Sequence, residues 1–156
     1  MHTQHKSFGG DDLKPQLNLK PQLNLKRLKR VLKDVDEPII ARAFSFFWFK
    51  RIYLGVRFKR LSPKQQVAAV LHEMGHCELH HSEIRIVSLF LIAWWNPWWF
   101  LRICRNQELA ADKYVVTHGY AHYLLDLLSG YDLGGWIHPS NRERRSAILS
   151  YTSTLA

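Results

Sequence analysis

The chain has 156 residues, 47% hydrophobic and 13% aromatic, with a net charge of +9. That is the size of one domain with a substantial core, and a basic balance of this kind favours anionic membrane surfaces or nucleic acid as partners. Two cysteines, Cys77 and Cys104, exclude a disulfide framework, and with nothing like a cleavable signal peptide the expected setting is reduced and cytoplasmic.

Residues 1–24 are expected to be a disordered basic tail. Within it the unit KPQLNL occurs twice in succession, from Lys14 and from Lys20. Two copies are too few for a solenoid, so a tandem duplication in a tolerant tail explains them. Residues 25–156 are expected to form a single domain.

From about Asn24 to Asp34 the pattern predicts a basic amphipathic helix. Leu25, Leu28, Val31, Leu32 and Val35 make its apolar stripe, and Lys26, Arg27, Lys29, Arg30 and Lys33 cover the rest. One reading is a solvated helix packed on the domain. The other is a contact of residues 26–33 with an anionic membrane. Nucleic acid is disfavoured, because no base-reading motif accompanies the charge.

Ala43 to Phe49 and Ile52 to Phe58 are rich in aromatic and branched residues, and they predict a β-hairpin turning at Lys50-Arg51.

Ser62-Pro63-Lys64-Gln65 is a capping box with proline in the first turn, so a helix should run from there to about His80. Val67, Val70, Leu71 and Met74 fall on one face at helical spacing. On the other side stand His72 and His76, within His72-Glu73-Met74-Gly75-His76, an H-E-x-x-H sequence. Two histidines four apart can reach one metal ion, and the glutamate between them is placed to take a proton from a metal-bound water. Nine histidines in one chain also allow a chance match with solvated side chains, but the amphipathic, capped helix argues against it. Cys77 is read as a core residue.

Ile86 to Leu101 is sixteen residues without a charge, holding Trp94, Trp95, Trp98 and Trp99. Three readings stay open: a buried helix broken at Pro97, an interfacial or re-entrant hairpin, and a membrane span, for which the run is short.

A catalytic zinc site usually has three protein ligands and one open position. Glu108 and Asp112, four apart on a helix predicted from about Ile103 to His118 and stopped by Gly119, supply the third ligand and a carboxylate to orient a ligand histidine. Ala110 and Ala111 permit close helix approach. An ordinary acidic pair is the alternative. Tyr120 to Leu128 predicts another helix, and His138-Pro139 opens a last one to about Tyr151.

An H-E-x-x-H helix followed by E-x-x-x-D on a second helix resembles the gluzincin peptidases, in particular the prenyl endopeptidase, heat-shock membrane protease and sensor peptidase types. His81, Ala41-Arg42-Ala43-Phe44, Trp95-Asn96-Pro97-Trp98-Trp99 and the segment His138 to Arg144 are similar to further stretches of these families, over about residues 38 to 150. The large transmembrane regions of those families have no room here. The resemblance implies an α+β, mainly helical, zincin-like domain with a small sheet beside the active-site helix. It implies one Zn2+ per chain held by His72, His76 and Glu108, with Asp112 supporting a ligand. It also implies a strand bordering the cleft that pairs with substrate, a role carried here to the predicted hairpin.

The expected reaction is hydrolysis of a peptide or protein substrate, with Glu73 as general base and then acid. A second electrophile should support the oxyanion. His138 and Arg144 lead Tyr120 and Tyr131 for that role, Arg144 because it matches the late arginine of these families. The alternatives are a latent or non-catalytic zinc-binding regulatory module and a membrane- or nucleic-acid-associated interaction protein. A location peripheral to or embedded in the cytoplasmic membrane stays open beside the cytoplasmic one.

Overall fold

The computed structural model describes residues 31–130 and 135–155. The duplicated unit, the first part of the predicted basic helix and Tyr131 lie outside these residues. The fold is α+β and mostly helical. A three-stranded sheet holds β1 (Leu32–Asp34), β2 (Ala41–Phe46) and β3 (Phe49–Leu54) in the order β1-β3-β2. Five α-helices follow among the described residues: α1 (Pro63–Glu78), α2 (His81–Ser88), α3 (Pro97–Thr117), α4 (Ala121–Gly130) and α5 (Asn141–Leu155).

The predicted basic helix does not extend to Asp34. Leu32, Lys33 and Asp34 instead form β1, paired in parallel with Ile52, Tyr53 and Leu54 of β3. A central strand needs partners for its backbone groups on both sides. Ile52 and Leu54 are buried, and Val31 and Leu32 pack against the same core. Tertiary pairing therefore overrides a stripe that also fits helical spacing.

The hairpin is present, but its turn lies at Phe47-Trp48 rather than at Lys50-Arg51. Phe47 takes a left-handed φ of 50°. A long-range anchor fixes this turn: the Glu83 carboxylate on α2 accepts the Phe47 N–H at 3.0 Å and the Ser45 hydroxyl at 2.9 Å. The predicted second strand also stops at Leu54. A side chain at Gly55 would collide with the Ile39 carbonyl, and Phe58 to Arg60 form a 3-10 turn.

Helix α1 starts as expected, with Ser62 and Gln65 capping each other and Pro63 at the first position. His80, at φ 54°, turns the chain directly into α2. Helix α2 continues as a π-helical segment, Leu89–Ala93. Asn96 then caps α3, its side-chain oxygen accepting the Trp99 N–H at 3.0 Å. Helix α3 thus begins well before Ile103, because the cap lies inside an apolar run. Of the three readings of residues 86–101, burial is overturned: Trp94 is 80% exposed and Trp98 75%. No helix among the described residues is long and apolar enough to cross a membrane. The segment is a helical hairpin with an exposed apolar tip.

Helix α3 ends at Thr117, and Gly119 turns the chain away at a φ of 82° that glycine adopts without strain. Ser140 and Glu143 form a second capping box before α5. The core lies between the sheet, α1, α3, α4 and α5, around Ile52, Leu71, Val115, Leu128 and Ile148.

Candidate metal centre

Helix α1 is the spine of the site. His72 and His76 lie one turn apart and both are buried. Helix α3 crosses beside them and presents Glu108, as the sequence spacing predicts. His72 Nε2 lies 3.2 Å from His76 Nε2. One Glu108 oxygen lies 3.4 Å from His72 Nε2, and the other 3.5 Å from His76 Nε2. Four ligands at zinc-to-nitrogen distances of about 2.0–2.1 Å in a tetrahedron stand about 3.3–3.4 Å apart. The three donors are spaced for one ion of that size, and His72, His76 and Glu108 form a group that can hold a metal. Among the described residues, this is the set of donors that converges in this way.

Each donor is held from behind. Asp112, fully buried, lies 3.0 Å from His72 Nδ1. The ring N–H does not point straight at the oxygen, so the contact is one of charge more than of an aligned hydrogen bond. Arg144 donates to both Asp112 oxygens, from Nε at 2.8 Å and Nη2 at 2.6 Å. His76 Nδ1 lies 2.8 Å from His81 Nδ1. For His76 to offer Nε2 to a metal, its proton must sit on Nδ1 and point at His81. Glu108 accepts from Arg85 at 2.7 Å, and Arg85 also donates to Gln107 at 2.6 Å.

These neighbours set the protonation states. Burial opposes the charged ring of His72, but Asp112 and Glu108 outweigh it and raise its pKa to about 9. Burial, with His76 and Arg85 nearby, lowers that of His81 to about 4, so its ring is neutral. Burial works against both carboxylates, yet His138 and the two histidines hold Glu108 far below the usual range, and Arg144 and His72 hold Asp112 there.

Glu73 borders the same cleft. Its Oε2 accepts the backbone N–H of Ala43. Strand β2 is the sheet edge on this side, while β3, part of the hairpin expected to pair with substrate, is central and has no open edge. The β2 donors at Ala43 and Ser45 are taken by Glu73 and Ser82, and that of Phe47 in the turn by Glu83.

The two predicted oxyanion candidates part ways. His138 reaches the site: its Nδ1 lies 3.3 Å from Glu108, and Arg105 holds its carbonyl from behind at 3.4 Å. Arg144 is 3% exposed and commits two donors to Asp112, so it braces the support of His72, although it also borders the cleft. Tyr120 packs against the core.

Two adjoining cavities of about 330 and 270 Å³ open on this group, and His72, Glu73, Glu108 and His138 line both. Ala69, Leu124, Leu127 and Leu128 form an apolar wall of the larger one. Sequence reasoning did not find Arg85 or a role for His81. An arginine opening a long uncharged run was the one available signal for the first, and only the fold brings it to Glu108. No family model, curated protein or solved structure matches the chain.

Proposed function

We propose that the chain is a zinc-dependent metalloendopeptidase of the gluzincin type. The observation that carries this reading is the placement of Glu73 on the helix of His72 and His76, lining the cleft onto which the three closely spaced donors open. Two imidazoles and a carboxylate suit zinc in a hydrolytic site with one position left open. When bound, zinc supplies a Lewis acid and lowers the pKa of its water toward ~7.

The chain's own residues do the rest. Glu73 takes the proton of the attacking water and passes it to the leaving amine. His138, at the mouth of the cleft, donates to the oxyanion as the carbonyl becomes tetrahedral. Asp112 and His81 fix the rings of His72 and His76. The wall formed by Leu124, Leu127 and Leu128 accepts an apolar side chain of the substrate. Substrate pairing along β2 requires Glu73 to release the Ala43 N–H.

That same bond favours a second reading, a latent zinc-holding module, because the general base is engaged by the edge strand. One experiment separates the two. Zinc content and peptide cleavage are measured for the wild type and for Glu73→Gln. A peptidase gives about one zinc per chain in both and cleavage only in the wild type. Zinc in both without cleavage in either leaves the latent module. Protein purified without chelators that carries no stoichiometric zinc overturns both.

A further inference from the structure

We propose that the tip of the helical hairpin between α2 and α3 is a docking surface for an anionic lipid bilayer, with the tryptophans seated at the headgroup level. Phe90, Leu91, Trp94, Trp95, Trp98 and Trp99 are all exposed there, from 49% for Trp99 to 80% for Trp94. Soluble monomers rarely leave contiguous apolar surface of this kind in water. The surface is also built of the residues that favour the boundary between lipid and water, where an indole buries its ring and keeps its N–H among polar groups.

Composition and charge name the occupant. The tip is formed by the end of one helix, a short connection and the start of another, and its exposed aromatic rings suit the boundary of a lipid surface. The hairpin is too short to span, so it can only seat at the interface. No acidic residue lies between Glu83 and Glu108, while Arg85, Arg102 and Arg105 do, and the whole chain carries +9. Arg102 is exposed one turn beyond Trp98. Arginine at that height meets anionic headgroups while the rings enter the lipid boundary. Ten residues of α3 separate Trp98 from Glu108, about 15 Å of helix. A docked chain therefore keeps its metal centre clear of the lipid. The inference rests on the tip alone and holds whether or not the chain cleaves peptides.

Flotation with vesicles tests it, using phosphatidylcholine mixed with phosphatidylglycerol beside pure phosphatidylcholine. The wild type is expected to float with the mixed vesicles, with a blue shift of its tryptophan emission. Trp94→Ser with Trp98→Ser is expected to lose flotation while keeping its helical circular dichroism. Leu149→Ser, at an exposed apolar residue of α5, is expected to float like the wild type. Brominated lipid in the same vesicles should quench the wild-type emission, a readout that needs no variant. Wild type that stays in solution, or that floats unquenched, overturns the proposal. So does a double variant that floats equally well. Self-association through the tip, seen as a dimer by light scattering that the double variant abolishes and that does not float, also overturns it.

Discussion

Gly75 packs against Ala111 at the crossing of α1 and α3, where a side-chain carbon at residue 75 would lie 3.1 Å from the Ala111 Cα and 3.1 Å from the Tyr114 Cβ. Glycine inside a helix costs roughly 0.5–1 kcal/mol relative to alanine, so the close approach has a purpose. It sets the separation between the histidines on one helix and Glu108 on the other. Gly75→Ala is expected to change overall stability little, since helix propensity gained offsets contact strained, but to weaken zinc retention. Gly75→Val should overpack the crossing and destabilise by about 1–3 kcal/mol. Zinc affinity from competition with a chromophoric chelator, set beside denaturant unfolding, checks both. Unchanged zinc affinity in Gly75→Val would mean that the crossing does not set the site.

Glu108 and Asp112 lie one turn apart on α3 but differ in what they hold. Glu108→Ala removes a donor of the metal group and is expected to abolish zinc retention. Asp112→Ala leaves the Arg144 guanidinium buried without its partner, and breaking a buried pair in this way costs about 3–5 kcal/mol. Its zinc affinity should fall only about 10–100-fold, the usual effect of losing a carboxylate behind a ligand histidine. Glu108→Ala also leaves Arg85 without its partner, so both variants should lose stability and zinc content is what separates them, Glu108→Ala falling well below Asp112→Ala. Equal zinc retention in the two variants would move the third ligand elsewhere.

Metal-free protein should be most stable near pH 6.5. The folded pKa of His72, about 9, lies above the ordinary value of about 6.5, so its contribution is full below pH ~6.5 and is lost as pH rises toward 9. His81 acts in the other direction: its folded pKa of about 4 makes the fold pay increasingly as pH falls from ~6.5 toward 4. Each limb is on the order of a few kcal/mol. Zinc requires neutral His72, so saturating zinc should flatten the alkaline limb, and zinc uptake near neutral pH should release protons. Urea unfolding across this range with and without chelator measures the limbs. Calorimetry in buffers of different ionisation enthalpy counts the protons. An alkaline limb equally steep with zinc bound would remove His72 from the ligand set.

What could be read in advance follows the range of the forces involved. The H-E-x-x-H helix was legible because its cap, apolar face and donors all lie within sixteen residues of one element. Glu108 and Asp112 were legible from spacing once a third ligand was sought. Features made by distant partners were not. The Phe47-Trp48 turn has no turn-forming residue and depends on Glu83 of α2. Strand β1 exists because β3 offers an edge. The start of α3 was hidden because Asn96-Pro97 interrupts an apolar run that reads as continuous. Arg144 could be placed near the site by resemblance, but only the packing of α5 on α3 shows its two bonds to Asp112.

Loss of His138 is expected to separate chemistry from metal binding. It belongs to the segment before α5 rather than to either helix that carries the candidate donors, and Arg105 and the buried Pro139 hold it at the cleft mouth. It contacts Glu108 from outside the group of three donors, so His138→Ala should keep about one zinc per chain. If it supports the oxyanion, kcat should fall by ~10²–10³ with KM little changed, because the interaction forms as the carbonyl becomes tetrahedral. Arg144→Lys tests the contrasting role. A lysine cannot reproduce the two parallel bonds to Asp112, so that variant should lose stability and zinc affinity together. Cleavage kinetics at saturating zinc distinguish the two variants. If His138→Ala keeps full kcat while zinc-saturated Arg144→Lys loses it, the oxyanion donor is Arg144 and the brace on Asp112 is secondary.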